Sequence, residues 1–320
     1  MINVIVFGYG NIAKKHIKNL TKISSKFNFF VIVKNIKKYQ NTNNIKIFDT
    51  LRDIDLNIFK YVLICSPANT HLKYFKYFSD KKIKIFIEKP LDTNISLVER
   101  YLKKIDKIKA DINIGYVFRK NFLAKKVSQI IRKKNFGNVK SVKIKASSYL
   151  PNWRKNKDYK NTVSAKKNLG GGVLLELSHE IDYLFWFFGE PHLLKSKLIY
   201  DKSLKIEVET GAQLELTHKK GFKIIIELDF HSKNKNIRFC KIIGKKNNLL
   251  WDIKKKMVIL KNLKTQKIKK YFDTGDMYFN QMHHFINKRF NSHYSKKSLK
   301  NSLKILKFIR QAKLKGKNNA

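Results

Sequence analysis

The chain has 320 residues, 43% of them apolar, enough to bury a sizeable core and to form two domains. Its formal charge of +47 invites a nucleic-acid reading, but of its 70 basic residues only 8 are Arg, the residue that bidentate base readers rely on, and the lysines are spread evenly rather than gathered into a stripe. With the excess of Asn, Ile and Phe pointing to AT-rich coding, the lysines read as a solvated coat that can aid encounter with an anionic substrate, and no specific nucleic-acid partner is expected.

Cys65 and Cys240 lie too far apart in sequence to make a disulfide framework, and no apolar run approaches the length of a membrane span. The chain opens directly on a strand-like segment with no charged leader, so a soluble cytoplasmic protein without membrane insertion is expected.

Residues 2–7 (INVIVF) are apolar almost throughout, as suits a strand buried on both faces. They run into Gly8-Tyr9-Gly10-Asn11-Ile12-Ala13 and then a helical stretch over 14–20, which is the G-x-G-x-x-[GA] pattern in its context of strand, turn and helix. Gly8 permits the tight turn, Gly10 allows close approach of a pyrophosphate, Ala13 allows helix packing, and the helix N-terminus offers free N–H groups; Gly8, Gly10, Asn11 and Ile12 are therefore cofactor candidates. A second strand is expected over 29–33. Where a carboxylate would take an adenosine ribose hydroxyl stand Lys34, Asn35, Lys37 and Lys38, so the cofactor is read as NAD(P), with Lys34 and its neighbours pointing toward NADP.

A buried strand over 61–65 ends in Ser66-Pro67-Ala68-Asn69-Thr70-His71, a loop that should face the cofactor at the carboxyl edge of a parallel sheet. His71 alone is more often a helix-start residue than a catalyst. A helix over 72–79 leads to a strand over 84–87 and to Glu88-Lys89-Pro90, where a lysine fixed by a proline at a strand end can meet a ligand, although most Lys-Pro pairs are surface turns. A helix over 96–108 and a strand over 112–116, with Arg119 just beyond, complete a β-α repeat.

The pattern then changes. A helix is expected over 122–134, a strand over 138–147, and an irregular stretch over 149–169 carries Trp153, Arg154, Asp158 and Tyr159, either a polar-ligand pocket or a set of packing anchors. Gly170-Gly171-Gly172 opens a helix on which Glu176, His179 and Asp182 recur every third residue and share one face, either a functional cluster or a solvated stripe. Strands follow over 195–200, 211–218, 223–231, 237–244, 248–252 and 257–261, with a hairpin turn at Lys219-Lys220-Gly221. Helices over 278–289 and 299–312 close the chain, and the tail after Lys313 is expected to fray. No His/Cys set has metal-ligand spacing.

The N-terminal glycine motif, Ser66-Pro67 with His71, Glu88-Lys89-Pro90 and the Gly170–Asp182 stretch together resemble the Gfo/Idh/MocA oxidoreductases, of glucose-fructose oxidoreductase and inositol dehydrogenase type. Tyr149-Leu150-Pro151-x-Trp153-Arg154 with Asp158-Tyr159 is similar to members of surface-polysaccharide and nonulosonic sugar pathways. The resemblance implies an α/β Rossmann domain over 1–118 and an α+β domain with an open, mainly antiparallel sheet over 119–316. It also implies a C-terminal helix that packs back on the first domain and a homo-oligomer, dimer or tetramer. It implies cofactor contacts from Ser66, Pro67, His71, Glu88 and Lys89, Lys89 at the reacting hydroxyl, His179 as acid/base, and a sugar or nucleotide-sugar substrate held by Arg119, Trp153, Arg154, Tyr159, Glu176 and Asp182. One departure stands out: many members carry an aspartate four residues before the histidine, where this chain has Leu175, with Glu176 three before. Three functions stay open: a sugar dehydrogenase or reductase, a redox-neutral variant that oxidises, eliminates and re-reduces, and a non-catalytic nucleotide-binding protein.

Overall fold

A computed structural model describes residues 1–52, 54–154, 158–234 and 236–317. In chain order the elements are β1 (Ile2–Phe7), α1 (Asn11–Ile23), β2 (Phe27–Ile32), β3 (Ile45–Phe48), β4 (Tyr61–Ile64), α2 (His71–Phe75), β5 (Lys84–Ile87), α3 (Ile95–Lys103) and β6 (Asp111–Ile114). They continue as α4 (Phe122–Ile131), β7 (Val139–Ser147), α5 (Val173–Glu176), α6 (Ser178–Phe188), β8 (His192–Ile199), β9 (Gly211–Thr217) and β10 (Lys223–Asp229). Last come β11 (Ile237–Gly244), β12 (Asn247–Asp252), β13 (Met257–Asn262), β14 (Ile268–Phe272), α7 (Met277–Asn287) and α8 (Ser292–Lys317). The residues fall into two compact units, Met1–Val117 with Asp276–Leu306, and Phe118–Gly275 with the residues from Lys307 onward.

The first unit is a Rossmann fold. Its six strands are all parallel in the order β3-β2-β1-β4-β5-β6, so the winding direction reverses between β1 and β4 and opens a crevice at their carboxyl ends. Val4, Val6, Phe29, Val31, Leu63 and Phe86 are buried, and Ala13, Ile17 and Leu20 of α1 pack on them with Met282 and Phe285 of α7. Each such side chain taken from water contributes about 1.5–3 kcal/mol. Edge strand β3, absent from the sequence reading, is four residues long and only half-buried.

Helices α7 and α8 are fastened to this sheet by charge. Lys84 Nζ donates to the carbonyls of Ile286 and Lys288 at 2.6 and 2.7 Å, which caps the C-terminal end of α7. Fully buried Asp111, at the start of β6, accepts from Lys288 Nζ at 2.6 Å and from Ser295 Oγ at 2.9 Å.

The second unit carries an eight-stranded sheet in the order β14-β13-β12-β11-β7-β10-β9-β8. Its pairs are antiparallel except β7 with β10. Alternation sorts its two faces: Val142, Ile144, Ile224, Ile226, Leu214, Ile242 and Leu249 are buried, whereas Lys143 and Lys145 stand on the other side and both reach Glu227. Trp251 on the buried side packs against Tyr183 and Phe187 of α6, ring centroids 5.2 and 6.2 Å apart.

Two expectations change here. The glycine-led helix is two helices, because Leu177 leaves helical geometry (φ −98°, ψ 27°) between α5 and α6. The C-terminal helix does not fray after Lys313: it runs to Lys317, with Gly316 packed so closely on Leu198 that a Cβ there would lie 2.6 Å from its Cγ.

Removing one partner of a buried ion pair strands the other. Asp111→Ala is therefore expected to lower unfolding free energy by about 3–5 kcal/mol in urea titrations, whereas Asp106→Ala, which breaks only the exposed pair with Lys296, should leave the curve in place.

Candidate functional site

In the first unit the candidate residues gather at the carboxyl edge of the parallel sheet. Gly8 follows β1 with φ +88°, a conformation that favours glycine, and a Cβ on it would stand 2.8 Å from Ser66 Cα after β4. The turn therefore passes directly against the β4 loop. Gly10 is the N-cap of α1; it is exposed, makes no side-chain cap, has no acid in the following turn, and has no atom within 4 Å of where a Cβ would sit. Free N–H groups beside open space at a helix N-terminus fit a dinucleotide pyrophosphate, with Gly10, Asn11 and Ile12 as the backbone that would hold it. Beyond β2, Lys34, Lys37 and Lys38 are exposed, and Asn35 caps the short turn there by accepting from Lys37 N at 3.1 Å.

The loop around Lys89 is braced from below. Glu88 Oε1 lies 2.6 Å from Nε2 of buried His16, and Glu88 also fills the space over Gly115, where a Cβ would meet Oε2 at 2.8 Å. Asp92, buried, accepts from the backbone N–H groups of Thr93, Asn94 and Leu72. Lys89 is half-buried and precedes a cis proline.

The His71 ring is 1% exposed, with Nδ1 2.9 Å from the Pro90 carbonyl and Nε2 2.8 Å from the Ser66 carbonyl. It ties the β4 loop to the Lys89 loop. A neutral ring can donate to only one of these carbonyls; burial pulls its pKa below the ordinary histidine value, against the opposing pull of both carbonyls, Asp92 and Glu88. The Cys65 thiol, pushed well up by burial and by Glu88, is no nucleophile.

In the second unit a cavity of 630 Å³ is walled by the end of β7 and the loop after it (Ser147, Tyr149, Trp153), by Glu176 and His179, and by Lys233, Arg238 and Lys254. The short α5 is set by Gly172, whose φ of +103° and absent Cβ admit the Glu209 carboxylate 2.5 Å from the Cβ position. Glu209, itself buried, pairs with Lys313 Nζ at 2.9 Å and accepts from Leu174 N. The break at Leu177 then lets Glu176 and His179, on separate helices, line one cavity, so the altered spacing before His179 still delivers a carboxylate beside it.

Trp153 presents a fixed aromatic wall. Its Nε1 donates to Ser148 Oγ at 3.1 Å and its ring meets Phe230 edge-on at 5.8 Å. Behind the cavity Phe118 packs edge-to-face on His179 (5.4 Å), and the Arg238 guanidinium lies 4.8 Å from the centroid of the same ring. Arg238 is held by Glu180, a fully buried carboxylate, through Nε at 2.6 Å and Nη2 at 2.9 Å.

The remaining substrate candidates go elsewhere. Asp182 is buried and its carboxylate takes Arg119 Nε and Nη2 at 2.8–3.0 Å; burial nevertheless pushes its pKa up against the pull of Arg119. Tyr159 donates its hydroxyl to the Leu204 carbonyl at 3.0 Å, and Arg154 ends the turn that carries Trp153. Asp182, Arg119, Tyr159 and Arg154 are not among the residues that line this cavity. Lys233, Arg238 and Lys254 escaped the sequence reading. A signal existed for one: in a chain with so few arginines, an Arg inside an apolar strand marks a buried acid. Among the described residues no three His, Cys, Asp or Glu side chains group as a metal site.

Comparison with known proteins agrees with this fold. Residues 2–116 match the model of the GFO_IDH_MocA oxidoreductase family, NAD-binding Rossmann fold, and residues 124–250 match the GFO/IDH/MocA C-terminal domain. The structure is similar to levoglucosan dehydrogenase in complex with NADH, at 12% identity and a TM-score of 0.84, covering 100% of this chain and 98% of that one. It is also similar to UDP-N-acetylglucosamine 3-dehydrogenase GnnA from Acidithiobacillus ferrooxidans, at 13% identity and a TM-score of 0.75 over 98% and 97% of the two chains. A third is KijD10, a 3-ketoreductase from Actinomadura kijaniata in complex with NADP and TDP-benzene, at 13% identity and a TM-score of 0.82 over 98% and 97%. A search of curated proteins gives no match. At these identities the structural likeness shows the fold.

The two glycines of the turn should separate folding from binding. Gly10→Val should melt as the parent does yet lose affinity for NADH and NADPH at least tenfold by nicotinamide fluorescence, because only a ligand occupies the space it fills. Gly8→Ala should instead lower the melting temperature, since its Cβ meets backbone.

Proposed function

Because the chain belongs to the Gfo/Idh/MocA family of oxidoreductases, we propose that it transfers a hydride between nicotinamide and a hydroxyl or keto carbon of a sugar or nucleotide sugar. The observation that carries this reading is the cavity where His179 and Glu176 stand beside the flat wall of Trp153. An aromatic face with polar groups around it suits a ring that is apolar on its C–H face and hydroxylated at its rim. The nicotinamide, when bound, supplies the hydride chemistry. The chain does the rest. As the carbon gives up its hydride the hydroxyl loses its proton, and His179 takes it, an imidazole being suited to that exchange near neutral pH. Lys89, carried on a loop braced by Glu88, Asp92 and His71, steadies the negative charge that develops on the oxygen. In the reductive direction the same groups return the proton.

The basic residues after β2 support NADP(H) over NAD(H), since Lys34, Lys37 and Lys38 meet no acid there and suit a 2′-phosphate. The Leu150-Pro151-x-Trp153-Arg154 motif supports a place in surface-polysaccharide precursor metabolism. Two buried free thiols support a cytoplasmic location, and among the described residues no helix is long and apolar enough to cross a membrane. The open face of the eight-stranded sheet is the surface on which a homo-oligomer would form.

The test is a nicotinamide fluorescence titration with NADH and NADPH followed by turnover on sugars and nucleotide sugars. Lys89→Ala should reduce turnover by about 10²–10³-fold with nucleotide affinity nearly intact, and His179→Asn should remove the rise in oxidation rate with pH. Turnover retained in Lys89→Ala refutes the assignment. Substrate conversion without net NAD(P)H change would instead identify the redox-neutral variant.

A further inference from the structure

We propose that His16, in the second turn of α1, is the positioning residue for Lys89: by holding Glu88 it fixes the backbone from which the Lys89 side chain departs. The inference rests on the reading of Lys89 as the group that steadies charge on the reacting oxygen, and it names what keeps that group in place.

A histidine is out of character where this one stands. Its side chain has no exposed surface, and its helix neighbours Ala13, Ile17 and Leu20 belong to an apolar core with Phe86, Met282 and Phe285. Phe86 meets the imidazole edge-on, ring centroids 4.9 Å apart. An apolar side chain there would pack without the cost of withdrawing a polar ring from water. Among the described residues the ring makes one hydrogen bond, Nε2 to Glu88 Oε1 at 2.6 Å, while Nδ1 meets no partner. A ring protonated on both nitrogens would bury an unanswered Nδ1–H. The form that fits is therefore neutral, with its single proton on Nε2 and donated to the Glu88 carboxylate.

Three segments of the first unit are fitted to that one carboxylate. Helix α1 supplies the donor, and the residue after β5 is Glu88 itself, whose backbone N–H is bound to the Ile64 carbonyl at 2.9 Å. The residue after β6 is Gly115, where a Cβ would stand 2.8 Å from Glu88 Oε2 and 3.0 Å from its Cδ. The Lys89 backbone N–H lies 3.2 Å from the same Oε2. On the other side of the lysine, His71 of α2 stands 2.9 Å from the Pro90 carbonyl, and Asp92 accepts from the N–H groups of Thr93 and Asn94. Lys89 is thus carried on a span pinned at both ends, and the nearer pin is the carboxylate that His16 orients.

Without the imidazole N–H, Glu88 Oε1 would face an apolar core with no donor, a position a carboxylate does not keep. It would turn toward water and draw the Lys89 backbone with it. A group that acts on the transition state loses its effect when displaced by about an ångström, and the loss falls on kcat rather than on binding.

The full chain is tested with NADH and NADPH on glucose, glucuronate and UDP-N-acetylglucosamine, reading kcat and KM by nicotinamide absorbance and nucleotide affinity by fluorescence. Amide hydrogen exchange of the segment around Lys89 reports the loop without any substrate. His16→Leu, which removes the donor, should lower kcat about 10–10²-fold with KM and nucleotide affinity near the parent's, and should speed exchange in the loop. His16→Gln, which returns an N–H to about the place of Nε2, should recover most of the rate and the protection. His16→Asn, whose amide falls short of Glu88, should behave as His16→Leu and replaces it should that variant not fold. Met282→Ala opens the same core away from Glu88; it should lower the melting temperature yet keep the parent kcat and loop exchange. In a Lys89→Ala background, His16→Leu should cost no further rate. Parent-like kcat and loop exchange in His16→Leu, equal losses in Met282→Ala, or no recovery in His16→Gln overturns the inference. Full turnover in Lys89→Ala would refute the charge-steadying reading instead, and where no sugar is turned over the loop exchange decides whether His16 holds Lys89.

Discussion

A carboxylate withdrawn from water must be met by donors, and this protein is organised by five that are: Asp92, Asp111, Glu180, Asp182 and Glu209 are all buried. Each ties together parts of the chain remote in sequence. Asp111 holds β6 to α8, Glu180 holds α6 to β11, Asp182 holds α6 to the segment before α4, and Glu209 holds α5 to the last turns of α8. Asp92 is answered by backbone N–H groups alone, those of Thr93 and Asn94 beside it and of Leu72 at the start of α2, and so ties α2 to the loop that presents Lys89. Ion pairs inside a protein add little net stability over apolar packing, but a mispaired one is heavily penalised, so such contacts select one arrangement over its near alternatives. In a chain with 70 bases and 23 acids, the acids carry most of that selection.

The functional residues sit one contact away from these pairs. Arg238 can face the cavity because Glu180 fixes its guanidinium from behind, and α5 can present Glu176 because Glu209 docks its first turn. The sequence departure before His179 is absorbed by the same device. Since Leu177 breaks the helix, residue spacing no longer dictates the angle at which Glu176 arrives.

Much of this was legible in the residues. The glycine turn, the parallel strands and the run of antiparallel strands announce themselves because their signals are local: a period of two, an apolar run, a turn residue. What escaped was either marginal or remote. Ile45–Phe48 and Ile268–Phe272 are edge strands with half-exposed side chains, so neither has the apolar signature that buried strands carry. The lysine-rich end of α8 looks like solvent-frayed sequence until Gly316 is seen against Leu198. His16 with Glu88, and Arg238 with Glu180, are separated by 72 and 58 residues, and no local pattern reports such a pairing. Helical spacing places Asp182 near His179, but its ion-pair partner, Arg119, lies 63 residues away, beyond the reach of any local pattern.

The way the first unit is assembled bears on how the protein is made. Its sheet is complete by Ile114, yet Met282 and Phe285 belong to its core and Asp111 awaits Lys288 and Ser295. A ribosome delivers those residues only after the whole second unit's sheet has emerged. The nucleotide-binding half therefore begins first and finishes last, holding an open apolar face and an uncompensated acid through most of synthesis, so that the fold matures by closing a circle rather than by adding beads to a string.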